Sequence, residues 1–108
     1  MVLYVQGNNV YKRSDDKKYR AYKCKAFKTV LTWDEEKQEV VAVYENYLGE
    51  VQTDYEDEII FSVGEQTVSY QAFNGVATCP LSGEAGEYEV KTINSDVDNG
   101  SLVVILNG

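Results

Sequence analysis

The sequence predicts an all-β fold: an antiparallel sandwich of seven to eight strands preceded by a basic N-terminal segment. Three observations lead there. Short runs of β-branched and aromatic residues recur along the 108 residues, with turn residues between them. No stretch of about twelve residues carries an apolar stripe at helical spacing. Near the end, the alternation of Ala77, Cys79 and Leu81 gives way to a turn and then to Gly86-Glu87-Tyr88-Glu89-Val90, which opens like a new strand. A tyrosine so placed in a sandwich can fold its hydroxyl back onto upstream backbone and pin the corner between sheets. Tyr88 is therefore expected as a structural residue, together with Gly75 and Gly86.

Taken in order, residues 2–6 read as a short strand and Gly7-Asn8-Asn9 as a turn, followed by a polar, charged stretch through Lys18. Strand-like residues resume over 19–27 and 29–33, and residues 34–38 form a polar loop. Val40 to Tyr44 is the most β-prone run and the candidate central strand. Beyond Gly49 and the acidic patch Asp54–Glu58, Ile59, Phe61 and Val63 share one face of the next strand. Gly64-Glu65 makes a tight connection to residues 67–73, where Val68, Tyr70 and Ala72 alternate with polar neighbours. Asn74-Gly75 supplies the positive φ angles of a hairpin turn. Ala77, Cys79 and Leu81 then face one way with Pro80 outward, which suits an edge strand because proline cannot donate to a ladder. Strands at 88–93 and 102–106, separated by the turn-rich residues 94–101, complete the set. The expected core is Val41, Val43, Ile59, Phe61, Val63, Val68, Tyr70, Ala77, Leu81, Tyr88, Val90, Val104 and Leu106.

A chain of this length is one sandwich domain able to bury a core unaided, expected over residues 29–108. Its charge is split. Residues 1–28 hold eight lysines and arginines against two aspartates, a net of +6; residues 29–108 hold two lysines against sixteen acids, a net of −14. An acidic body with a basic arm or edge follows. No run of about 18 apolar residues is present, so no membrane-spanning helix is expected. The start, Met1 to Gly7, lacks a basic region followed by an apolar stretch, so no secretory signal is expected. Cys24 and Cys79 are read as reduced thiols on that basis.

From about Trp33 onward the chain resembles a bacterial immunoglobulin-like domain of the invasin/intimin kind. The residues that carry the likeness are Val40–Tyr44, the Gly49 loop, Phe61-Ser62-Val63, Asn74-Gly75-Val76-Ala77-Thr78 and Gly86-Glu87-Tyr88-Glu89-Val90. The resemblance implies an immunoglobulin-like β-sandwich acting as a rigid spacer, an adhesive module or a decoration of phage virions and tails. It brings no catalytic residues. In antibody-type members the second bridging cysteine lies two residues after the corner tyrosine; here that position is Val90. A single domain without repeats fits a phage or prophage structural protein, cytoplasmic during synthesis and then virion-associated.

Histidine is absent, which removes the commonest activator of Ser and Cys nucleophiles and the commonest metal ligand. Two cysteines without histidine do not close a four-ligand zinc site. No phosphate-binding glycine loop occurs. The chain is read as no enzyme, with no cofactor. Asp54–Glu58 and Asp96–Gly100 are read as solvated acidic loops rather than calcium sites. The basic residues Lys12, Arg13, Lys17, Lys18 and Arg20, with Tyr11, Tyr19, Tyr22 and Phe27 among them, have the ingredients of single-strand nucleic-acid binding. The acidic body opposes that use. The plainest reading is a half-exposed strand whose lysines guard an edge; the functional role expected beside it is pairing of the basic segment with an acidic face, in self-association or with a protein partner. The alternative reading is a carbohydrate- or cell-surface-binding module that uses Tyr44, Tyr47 and Tyr55 beside the acidic loop.

Overall fold

A computed structural model describes the backbone of residues 2–6, 9–13 and 21–107 and the side chains of 25–107. Among the described residues, ten strands form three antiparallel sheets. β1 (Val2–Gln6), β2 (Asn9–Arg13) and β3 (Ala21–Lys25) make one sheet in that order. β2 lies where a polar stretch is expected from sequence, and it begins at Asn9, which the sequence assigns to a turn. Its Val10 and Tyr11 suit a strand, and pairing on both sides, with Val10 opposite Val5 and Cys24, outweighs the weak propensity of Asn9, Lys12 and Arg13.

The remaining seven strands build two sheets. β4 (Phe27–Asp34), β5 (Glu39–Asn46) and β8 (Val76–Pro80) form one, in the order β4-β5-β8. β6 (Glu58–Val63), β7 (Gln66–Gln71), β9 (Gly86–Thr92) and β10 (Ser101–Leu106) form the other, in the order β10-β9-β6-β7. After the β4–β5 hairpin the chain crosses to the second sheet for the β6–β7 hairpin. It returns to lay β8 beside β5, then crosses again to lay β9 beside β6. The composition change between residues 28 and 29 falls inside β4.

The core lies between these two sheets. Val40, Ala42, Ile59, Phe61, Ala72 and Val90 are fully buried, and Leu31, Ala77, Cys79, Leu81, Val104 and Leu106 complete the cluster. Each fully buried Val, Ile or Phe side chain contributes about 1.5–3 kcal/mol. β5 corrects the expectation by one residue: Val40 and Ala42 face the core, and Val41 and Val43 lie on the outer face, half-buried. Register decides this. Ala42 stands between Leu31 and Ala77, and Val40 between Trp33 and Cys79, so every inward position meets another inward position. Val68 is also less buried than expected, at 37% exposure, because β7 is the outer strand of its sheet.

A polar chain closes one end of the core. The Gly100 N–H donates to Thr29 Oγ1 at 2.8 Å, Thr29 and Thr92 share a buried hydroxyl bond of 2.6 Å, and the Thr92 hydroxyl donates to Asn99 Oδ1 at 2.8 Å. Asn94 continues it, accepting from the Ile60 N–H at 2.8 Å and donating to the Glu58 carbonyl at 3.0 Å. Two buried hydroxyls that would otherwise be costly are thereby satisfied, and the 94–100 loop is tied to both sheets.

Candidate functional site

Two tyrosines singled out by sequence come together at this same end. The Tyr44 and Tyr55 rings stack with centroids 3.8 Å apart and planes 4° from parallel. Phe27 also stacks on Tyr44, at 5.5 Å and 24°. Phe27 starts β4 and Tyr44 lies near the end of β5; the register pairs Phe27 with Asn46 and Thr29 with Tyr44, so the two rings are diagonal neighbours.

Backbone bonds hold Tyr55 against them. Tyr44 N–H donates to the Gly75 carbonyl at 2.8 Å, and Gly75 N–H donates to the Tyr55 carbonyl at 3.1 Å. Gln52 N–H donates to the Tyr44 carbonyl at 2.9 Å, and Tyr55 N–H to the Gln52 carbonyl at 3.0 Å. Gly75 sits at φ +78° after Asn74 at +53°, the paired left-handed residues of a tight hairpin. A Cβ on Gly75 would also collide with the Gln52 carbonyl. This one glycine is required both for the turn and for the approach of the Tyr55 loop.

The stack lines an open cleft of about 290 Å³ with Gln52 and Asp54 on its rim. Gln52 spends its amide N–H on the Glu50 carbonyl at 2.8 Å. The Tyr55 hydroxyl donates to the Glu58 carbonyl at 3.0 Å. Burial raises both tyrosine hydroxyls above the usual phenol value; the Tyr55 phenol and then the Asp57 carboxylate add to this at Tyr44, and Asp57 adds to it at Tyr55. Both phenols are neutral at neutral pH. An aromatic face beside a carboxylate and an amide can hold a ring that has one apolar face and hydroxyls at its edge.

Tyr47 is not part of the stack; its N–H is fixed to the Ala26 carbonyl at 2.8 Å. Lys17, Lys18 and Arg20 lie outside the described residues, and Lys12 and Arg13 are placed by backbone alone, on β2. Tyr88 lies at the opposite end of the sandwich, where its hydroxyl donates to the Glu84 carbonyl at 2.8 Å. Gly86 opens β9 with room to spare, since a Cβ there would sit 3.8 Å from the Tyr88 ring, an ordinary contact. Cys79 is a buried free thiol whose pKa is raised by burial.

Sequence reading missed Phe27 as a member of the stack and grouped it with the basic stretch. The signal was its position two residues before Thr29 on the same strand face. The acidic loops make internal bonds: the Asp98 carboxylate accepts from Lys25 N–H at 3.2 Å, and Asp98 backbone bonds to Phe27 and Thr29. Among the described residues no three acidic or cysteine side chains gather as a metal-holding group, and no helix is long and apolar enough to cross a membrane. No protein-family model, curated protein or solved structure matches this chain.

Proposed function

We propose that this protein is a non-enzymatic assembly module whose basic N-terminal segment docks on an acidic face of a neighbouring copy. One observation carries the reading. The strands of the basic segment, β1 to β3, pair among themselves and with neither sheet of the acidic sandwich among the described residues. A basic unit before Ala26 (seven cations against two acids, +5) and an acidic unit after it (three cations against sixteen acids, −13) are attracted to each other, and between copies that attraction favours head-to-tail contact. The sandwich supplies the rigid scaffold. Its strand order, with the first, second and fifth strands in one sheet and the third, sixth and seventh in the other, supports an immunoglobulin-like arrangement in which the fourth strand has moved to the second sheet. The Tyr88–Glu84 bond supports the same arrangement. A repeating particle such as a phage tail or capsid surface is the setting such a module suits. Replacing Lys12, Arg13, Lys17, Lys18 and Arg20 by serine in the full chain should leave a monomer by light scattering at about 50 mM salt, where screening is weak. A mass equal to that of the native oligomer would contradict the reading.

The Phe27–Tyr44–Tyr55 cleft favours a second reading, a carbohydrate-binding surface. Binding to a glycan array that is lost in Phe27→Ala and kept in Tyr47→Ala would support it; equal binding by both variants would remove it.

A further inference from the structure

We infer that β7 is the acceptor edge of the assembly: β3 of a second copy adds to it and extends the four-stranded sheet. The inference rests on the assembly reading above and names its partner surface. β7 is the outermost strand of its sheet. The two-residue turn Gly64-Glu65 makes Val63 and Gln66 a hydrogen-bonded pair, and Ala72 N–H donating to the Asp57 carbonyl continues the same alternation. The backbone groups of Thr67, Ser69 and Gln71 therefore point away from β6, toward a side that no described strand occupies.

The other edges of the two sandwich sheets are each blocked at one or more positions, and β7 is not. On β8, Val76 exchanges both backbone bonds with Phe73, and Pro80 has no N–H, so Thr78 alone offers a donor at that edge. β4 is covered at its start by Asp98, and the entry to β10 is closed against β4 by the Gly100–Thr29 bond. β7 reads Gln-Thr-Val-Ser-Tyr-Gln, with no proline and no charge. Beside it, two clefts of about 450 and 320 Å³ run along the seam toward β8, one lined by Tyr70, Phe73 and Val76 and the other by Val68 and Cys79. Phe73 is 63% exposed there. Free backbone on an edge strand with clefts for alternate side chains is the arrangement that accepts an added strand.

Charge selects the occupant. Glu65 stands at one end of β7 and Glu56, Asp57 and Glu58 at the other. Antiparallel pairing of two β7 strands would bring the Glu65 end of each copy against the Glu56–Glu58 end of the other, acid against acid. β3 is the outer strand of the basic sheet, contains Lys23 and Lys25, and follows Arg20. Its charges complement the acids that bracket β7.

The test uses the full chain at about 50 mM salt. Hydrogen exchange at Thr67, Ser69 and Gln71 should slow by about tenfold or more in the oligomer relative to the salt-dissociated monomer. Ser69→Pro, which removes one outward N–H, and Ser69→Lys, which guards the edge with charge, should both give monomers with the native melting temperature. Arg20→Glu with Lys23→Glu should also give a monomer, and adding Glu58→Lys with Glu65→Lys should restore association. Native mass in both Ser69 variants, with association still lost in the Arg20/Lys23 variant, would overturn β7 as acceptor and leave the assembly reading standing. Protection of the β7 amides that survives the Arg20/Lys23 reversal would overturn β3 as occupant. A native chain that is monomeric at low salt would overturn both.

Discussion

At the scale of residues, a few side chains fix corners that apolar burial alone leaves open. Tyr88 is one: a single net hydrogen bond of this kind is worth about 1 kcal/mol. Tyr88→Phe should lower the urea midpoint by the equivalent of that amount, and equal midpoints would show that the Glu84 bond adds nothing. Gly75 is another. Gly75→Ala meets both a positive φ and the Gln52 carbonyl, so a loss on the order of 1–3 kcal/mol is expected, whereas Gly86→Ala should be near neutral. The tyrosine stack makes a pH prediction. The Tyr44 and Tyr55 pKa values are raised in the folded chain, by burial first. The unfolded chain therefore releases these protons first, near pH 10, while the folded chain still holds them. Their stabilising contribution is full below about pH 10 and is lost as pH rises through the folded values. The decline in thermal midpoint above about pH 10 should be shallower in Tyr44→Phe with Tyr55→Phe than in the native chain; an identical decline would contradict the assignment.

At the scale of elements, most strands of the sandwich could be read from sequence, because turn residues such as Asn74-Gly75 and Gly64-Glu65 punctuate runs with clear alternation. Where alternation is missing, so is legibility. Val40-Val41-Ala42-Val43 is apolar on both faces, and only its pairing with Leu31, Ala77 and Cys79 decides which side is inward. Val40→Ala should cost on the order of 2 kcal/mol, combining lost transfer energy with a cavity, while Val41→Thr should stay within about 0.5 kcal/mol. The reverse order in chemical denaturation would restore the register expected from sequence. β2 was hidden by Asn9, Lys12 and Arg13, whose own preferences oppose a strand that neighbours on both sides impose. The aromatic stack was half legible. Tyr44 and Tyr55 stand out beside the acidic loop, but their contact depends on the Gly75 turn, and Phe27 joins only through the β4–β5 register. The Thr29–Thr92 bond joins residues 63 positions apart and leaves no local trace.

At the scale of the whole molecule, the division of charge is the feature that bears most on assembly. The basic residues cluster on β2, β3 and the segment between them, and the acidic loops 54–58 and 96–98 lie on the sandwich. Lys28, the last basic residue of the run, already belongs to the sandwich and sits 3.9 Å from Glu45 on the neighbouring strand. Attraction between exposed charges of this kind weakens as the Debye length shrinks, from about 10 Å at 0.1 M salt toward about 3 Å at 1 M. The most direct measurement is therefore the solution mass of the native chain by light scattering across a salt series from about 50 to about 500 mM. An oligomer at the low end that dissociates into monomers at the high end is the predicted result. A monomer at every salt concentration would contradict the assembly account.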